Sequence, residues 1–455
     1  MDGFAQEVVR RLPLAMATLQ TFDYAFEPAM LDSIYEDHRG RSYTVKLEFH
    51  DLLRITRDCL LVHESGHRGM MEARDCGTLP VNESSVYRKL SRVPLNVSEA
   101  LLRCCTQRLT ELLPTESMTP LPACFDAYEP IAFDGKKLKN AAKRLGPCRG
   151  YAGKLLGGKM LVATSVRGGL ALAMHGSQDG EANDVPLIPG LLPQVRAVID
   201  KPALWIGDRQ FGDLATPSLL AGERDGYLIR IRANLKFTPS PDDPARIGVD
   251  HEGRAFTDQL GHIGSGKRRL AVRRIEIQLD GEPLILITNL TDAAAFPAAD
   301  LLGLYRRRWG IEQVFQQITE QFDLRHLIGS TPRAILFQAS FCLLLYNLMQ
   351  VLKAYVALDG EKPVREVSTH HLLVDVKKSL TAWFVLAPMT PPPAAPRDAA
   401  SMKQRLLELT RGTWRKLWTK KSDQNPRKKR QKPTPLHGGH TSVYRLLQQA
   451  KAAQP

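Results

Sequence analysis

The stretch Leu304–Leu324, LYRRRWGIEQVFQQITEQFDL, constrains this chain more than any other. On a helix each residue turns about 100°. Relative to Tyr305, Arg308 then falls at about 300° and Glu312 at about 340°, an arc of roughly 60°. Leu304, Ile311, Val314, Phe315, Ile318 and Phe322 fall together on a neighbouring face. A buried apolar stripe thus lies beside a phenol, a guanidinium and a carboxylate. A carboxylate at the edge of a core suits a hard cation, and an Arg and a Tyr one turn away suit phosphate. An amphipathic surface helix with three solvated polar residues is the plain alternative, and the rest of the chain decides between them.

A chain of 455 residues, 43% hydrophobic and 24% charged, has the make-up of a soluble protein of two to four domains. The longest apolar run, Ala334–Leu352, carries Gln338, Ser340, Asn347 and Gln350, so it reads as a buried helix and not a membrane span. MDGFAQEVVRRLP lacks the apolar core of a signal peptide, and seven cysteines without framework spacing imply reduced thiols and a cytoplasmic protein. The formal net charge is +14. Residues 401–455 hold 14 Lys and Arg against 2 Asp and Glu, or +12, which leaves about +2 for the rest. A near-neutral body with a basic tail points to nucleic acid. The densest run, Pro426–Pro433, contains Arg427, Lys428, Lys429 and Arg430.

Residues 1–125 read as helical. Lys46–Leu61 and Val97–Leu113 carry apolar residues at helical spacing, and NESSVYRKLSR lies between them with Ser84 or Ser85 as N-cap. The basic residues Arg88 and Lys89 make this region a candidate DNA-reading unit, with a plain helical bundle as the alternative. His63-Glu64-Ser65-Gly66-His67 spells the zinc pattern HExxH, but lacks a third ligand nearby and meets Gly69. Gly261–Lys267, GHIGSGK, resembles a phosphate loop, yet Arg268 follows where Ser or Thr is needed, so it reads as a hairpin turn.

From about 128 short β runs begin: Pro130–Phe133, then Lys159–Val166 and Gly169–His175. Pro186–Ile199 reads as a helix, Ala203–Gly207 as a strand, Asp213–Arg224 as a helix and Gly226–Arg232 as a strand, an α/β order. Asp134 is expected at the end of the first strand and Asp208 at the end of the strand after the first helix. Singly, such residues are turn formers or caps. Together with Glu312 from a packed helix they can converge, and three carboxylates can hold two divalent metals.

At these residues the chain resembles the DDE transposases of bacterial insertion sequences with a Y-x2-R-x3-E-x6-K signature. Tyr305, Arg308 and Glu312 match that signature, and FDGKKL around Asp134 and GDRQFGD around Asp208 match its acidic motifs. Tyr227–Arg232, Gly180–Leu192 and Leu286–Leu290 resemble further family blocks. The resemblance covers roughly 120–355 well and the N-terminal 120 residues loosely. It implies an α/β, ribonuclease-H-like mixed sheet with flanking helices and a β-rich insertion, preceded by a helical N-terminal domain. The insertion reads independently as period-2 runs and turns over about 235–297. The signature Lys falls at Thr319, which loses a charge-assisted phosphate contact unless Arg325 or another base compensates.

The expected organisation is a helical DNA-binding domain over 1–125 and a catalytic domain over 126–355. A helical extension (356–390), a Pro-rich linker (391–398) and a basic tail (399–455) follow. The resemblance implies that Asp134, Asp208 and Glu312 are catalytic and hold Mg2+, with Mn2+ substituting. Tyr305, Arg308, Thr319, Arg88, Lys89 and Arg427–Arg430 would contact DNA. The partners are double-stranded DNA, as element ends and target, and a second copy of the chain. Two rivals stay open on sequence: a ribonuclease-H-like nuclease that cuts without joining, and a non-catalytic DNA-binding relative.

Overall fold

The computed structural model describes residues 3–40, 47–63, 66–75, 77, 81–139, 141–222, 224–233, 235–279, 281–322, 324, 328–386, 392–420 and 439–453. Seven helices come first: α1 (Gly3–Arg11), α2 (Pro13–Ala25), α3 (Pro28–His38), α4 (Phe49–Leu61), α5 (Gly66–Asp75), α6 (Glu83–Leu90) and α7 (Leu95–Leu112). Asn82 caps α6 by accepting from the Ser85 amide at 2.9 Å, in place of the expected serines. The HExxH helix does not form. His63 lies beyond the end of α4 at Leu61, and α5 begins at Gly66. His63 Nδ1 instead meets Glu72 at 2.8 Å, and Gly69 lets α5 close onto the His63 ring, where a Cβ would come within 2.7 Å. Glu64 lies outside the described residues.

Next come β1 (Glu129–Lys139), β2 (Lys154–Ser165), β3 (Ala171–Ser177), α8 (Ile188–Arg196), β4 (Ala203–Gly207), α9 (Thr216–Leu220) and β5 (Gly226–Ile231). Their sheet order is β3-β2-β1-β4-β5, with β1, β4 and β5 parallel and β2 antiparallel, which is ribonuclease-H-like. The expected helix over 213–224 shrinks to α9, whose first turn is capped by Asp213 at 2.9 and 2.7 Å. Asp134 is inside β1 and not at its end. The polar half, DGKKLK, stays extended because β2 pairs with it from Asp134↔Val162 to Lys139↔Leu156, whereas β4 pairs only with 129–132.

The insertion extends the same sheet. It contains β6 (Phe237–Pro239), β7 (Arg246–Val249), β8 (Ala255–Ile263), β9 (Leu270–Gln278) and β10 (Pro283–Thr288). β10 joins β5 antiparallel, and β9 and β8 follow outward. GHIGSGK spans the β8–β9 hairpin, with Gly264 and Gly266 at φ of 75° and 56°.

Four helices follow: α10 (Ala298–Arg307), α11 (Gly310–Glu320), α12 (Pro332–Asp359) and α13 (Thr369–Leu386). Then come α14 (Ala399–Thr410), β11 (His440–Ser442) and α15 (Val443–Ala452). α12 is long and apolar enough to cross a membrane, but 94% of its most apolar window is buried inside the protein. Its polar residues explain why. Asn347 exchanges two 2.8 Å bonds with the Ala171 backbone on β3 and donates to Thr106 of α7 at 2.8 Å. Gln338 accepts from Ile328 N, and Ser340 donates to Ser98 O. The N-terminal helices, α12 and one face of β1–β3 thereby share a single core.

The segment after α13 is tied to the body. Gln20 of α2 donates to the Pro393 carbonyl at 3.0 Å, and Trp418 donates to Asp375 of α13 at 3.0 Å. β11 adds parallel to β2 at His440↔Lys154. Arg427–Arg430 lie outside the described residues.

Asn347→Leu removes the side-chain acceptor of the buried Ala171 N–H and leaves the Ala171 C=O with the Thr106 hydroxyl, at 3.2 Å, as its side-chain donor. It should cost roughly 1–3 kcal/mol of stability in urea denaturation. An unchanged midpoint would contradict this account of α12.

Candidate active site

β1 and β4 run parallel with Ala132 beside Ile206, so two residues further on Asp134 and Asp208 stand side by side. Asp134 Oδ1 accepts from the Gly135 amide at 2.7 Å. Asp208 Oδ1 accepts from the Gln210 amide at 2.8 Å and caps a short 3-10 turn, Arg209–Phe211. The other oxygen of each accepts no hydrogen bond among the described residues. Burial, and next the charge of Asp208, push the Asp134 carboxyl up to about 7, against the Gly135 amide and the Arg308 guanidinium.

The expected single helix is two. α10 ends at Arg307, α11 starts at Gly310, and the junction is tightened to 3-10 bonds from Arg308 N to Tyr305 O and Glu312 N to Trp309 O. The break has a packing cause. Leu301, Leu304 and Tyr305 sit in the core with Leu204, Ile206 and Leu228. Ile311, Val314, Phe315 and Ile318 sit in the core with Trp205, Phe133 and α12. Alternate β4 residues therefore face opposite cores, and the chain crosses from one face of the sheet to the other at Arg308–Trp309. The apolar stripe read as one face serves two.

The junction still keeps the signature residues together. Arg308 Nη2 lies 2.9 Å from Glu312 Oε1, and Nη1 lies 4.0 Å from Asp134 Oδ2. Nη1 is buried without a hydrogen-bond partner among the described residues. The guanidinium stands 6.0 Å from the Tyr305 ring centre. Burial raises the Tyr305 phenol pKa, Arg308 and Arg230 oppose this, and Asp208 adds to it, so all of these face one locus. The ligand atoms of Asp134, Asp208 and Glu312 are not gathered within 4.8 Å, because Arg308 bridges Asp134 and Glu312. Asp32, Glu48 and His50 do meet that spacing, at the surface of the N-terminal helices, where Lys89 already supplies a nearby cation.

The expected DNA contacts divide. Arg88 is exposed on α6. Lys89 turns inward: its ammonium donates to the Leu47 carbonyl and lies 5.0 Å from the Tyr35 ring centre, and burial lowers its pKa to about 8. Thr319 donates its hydroxyl to the Phe315 carbonyl at 2.6 Å. Arg325 lies outside the described residues.

Sequence reasoning passed over four residues here. Arg230 stands abreast of Asp208, since Gly207 pairs with Ile229, and its Nε is buried without a partner. Trp309 is 58% exposed at the helix junction. Asp184 is buried 2.7 Å from Lys159. Lys136 follows Asp134 at strand period. Period-2 alternation was the signal available for Arg230 and Lys136.

A sequence profile of the transposase DDE domain matches residues 126–348. A protein of Sinorhizobium fredii named as a transposase is 28% identical over 160 residues, which is 34% of this chain and 43% of that protein. The Escherichia coli transposase InsG of insertion sequence element IS4 is 25% identical over 201 residues, 42% of this chain and 44% of its own. The match thus spans less than half the length of these curated relatives. The structure of the piggyBac transposase synaptic complex with hairpin DNA aligns with a TM-score of 0.42 and 13% identity, over 87% of this chain and 84% of that one.

The raised Asp134 carboxyl has a stability consequence. Between the unfolded and folded pKa values the native state binds the extra proton, so stability falls as pH rises through about 7. Without divalent metal, Asp134→Asn should stabilise the protein at pH 8 by on the order of 2–4 kcal/mol and leave it unchanged at pH 4. Urea denaturation at the two pH values checks this; equal effects at both would contradict it.

Proposed function

The chain belongs, over residues 126–348, to the DDE transposases of insertion sequences, and we propose that it cuts the DNA ends of its element and joins them to target DNA. The observation that carries this reading is that Asp134 and Asp208 each follow by two residues the paired Ala132 and Ile206 of parallel strands, near enough for the charge of Asp208 to act on Asp134, with Glu312 linked to Asp134 through Arg308. The donor set fits a hard divalent cation: three carboxylates, each with one oxygen that accepts no hydrogen bond among the described residues, in a locus where burial and a like charge raise the Asp134 pKa. Asp134, Asp208 and Glu312 would hold Mg2+, or Mn2+ in its place, which when bound supplies charge for activating water or a 3′-OH and for stabilising the leaving oxygen.

The chain's own side chains do the rest. Asp134 and Asp208 would offer their carboxylates to the cation from adjoining strands. Glu312 would exchange its ion pair with Arg308 for the cation. The freed guanidinium, whose Nη1 has no hydrogen-bond partner among the described residues, would then take a phosphate oxygen, with the Tyr305 phenol beside it. Trp309, exposed next to this point, stacks on a neighbouring base or sugar. Arg88 and Arg427–Arg430 hold the duplex by charge. Bringing two ends together calls for a dimer on DNA, working in the cytoplasm at the nucleoid.

The test uses purified protein, Mg2+ or Mn2+, and a duplex carrying the inverted repeat that flanks the gene. Wild type should cut at the repeat end and yield joined products. Asp208→Asn should bind and cut roughly 100-fold or more slowly, as expected when several kcal/mol of transition-state stabilisation is removed. Cutting without joining would support the simple nuclease. Equal cutting by the mutant would remove the proposed site.

A further inference from the structure

Position 319 opens on a cavity of about 520 Å³ beside Asp134, lined by Gly135, Lys136, Lys139, Lys159, Asp184 and Thr319 among others. Thr319 brings no charge, and its hydroxyl proton is committed to the Phe315 carbonyl at 2.6 Å. The floor is closed. Lys159, 3% exposed, pairs with Asp184 at 2.7 Å and donates to the Ala182 carbonyl at 2.8 Å. Gln210 donates to the same carboxylate. Gly135 lets Asp184 lie directly on β1, where a Cβ would come within 2.1 Å of its oxygen. Lys159 is therefore spent on Asp184.

Lys136 is not spent. Two residues after Asp134 on β1, it projects on the same side of the strand. It makes no ion pair or hydrogen bond among the described residues. Its ammonium stands 5.5 Å from the centre of the Phe315 ring, one helical turn before Thr319. The aromatic face holds the cation at the cavity rather than in bulk water. Lys136 is half-buried, and Lys139 lines the same cavity, so an incoming phosphate meets a cation already held in place.

We propose that this cavity binds a backbone phosphate of the DNA strand entering the site, and that Lys136, reaching from the sheet, supplies the positive charge that Thr319 on α11 lacks. Lys136 is a positioning residue, and the inference rests on the DNA-cutting reading above. The phosphodiester stays intact at this subsite, so no bond is made or broken there.

The experiment compares wild type, Lys136→Ala, Lys136→Arg, Thr319→Lys and the Lys136→Ala/Thr319→Lys double variant, with Asp208→Asn as control. Affinity for the repeat duplex is measured across a salt series, and cleavage in Mg2+. Lys136→Ala should weaken binding about 10-fold and flatten the dependence of log affinity on log salt by about one. The loss should be similar on an unrelated duplex, since phosphate carries no sequence. Lys136→Arg should hold the wild-type slope, and Thr319→Lys should return affinity and slope in the double variant. Wild-type affinity and slope in Lys136→Ala, with Asp208→Asn still inactive, would overturn the phosphate subsite and leave the cutting reading standing. A loss that neither Lys136→Arg nor Thr319→Lys recovers would overturn it as well. Undiminished cutting by Asp208→Asn would instead remove the cutting reading, while the binding series still decides Lys136.

Discussion

The parallel pairing of β1 with β4 is the constraint on which the site depends. It sets Asp134 next to Asp208, and two partly buried carboxylates side by side repel. The fold meets that repulsion with a cation drawn from elsewhere in the chain, Arg308, which reaches Asp134 while paired with Glu312. The apolar residues of α11 then fix where Glu312 stands, because Ile311, Val314 and Ile318 are locked into the main core. Sheet and helix are thus joined by an ionic link whose cost is borne by packing on both sides. On the proposed function such a link is suited to exchange, a divalent cation and a phosphate replacing the Arg308 contacts.

How much of this could be read in the sequence follows from the range of each interaction. The three acids were legible because their local contexts are distinct: Asp134 before a Gly, Asp208 after an apolar strand, Glu312 at helical spacing from Arg308. The break between α10 and α11 was not. A helical wheel assumes one axis, whereas two cores on opposite faces of the sheet demand two. Asp134 read as a strand end because the residues after it are polar; only the long antiparallel partner β2, distant in sequence, keeps them extended. Lys89 read as a solvent-facing cation, but the carbonyl that draws it in belongs to Leu47, 42 residues away. The addition of β11 to β2 depends on pairing across almost 300 residues of chain and leaves no local signal.

The same reasoning sorts the motifs that carry no chemistry here. HExxH needs one continuous helix, and His63 lies beyond the end of α4 at Leu61 while His67 belongs to α5. GHIGSGK needs a strand leading into a helix, and two antiparallel strands flank it instead. In each case the letters are right and the backbone is wrong. The three acidic residues differ in their backbone: Asp134 lies on β1, Asp208 directly after the parallel neighbour β4, and Glu312 in the first turn of α11.

The insertion also has a mechanical part. Its β7–β8 loop grips α10, with Asp250 and Glu252 on Arg306 and His251 2.9 Å from Asp300. From the other side, buried Arg273 of β9 pairs with Asp258 of β8 at 2.8 Å through both nitrogens. It also donates to the Phe296 carbonyl at 2.7 Å, just before α10 begins. A buried Arg with a carboxylate and carbonyls in full geometry is rigid, and removing one partner leaves an uncompensated charge. α10 is therefore held at its start and near its end by the insertion, and Tyr305 and Arg308 sit at the end so held. The added strands lie in the same sheet as β1 and β4, so they brace α10 instead of hanging from it as a separate module.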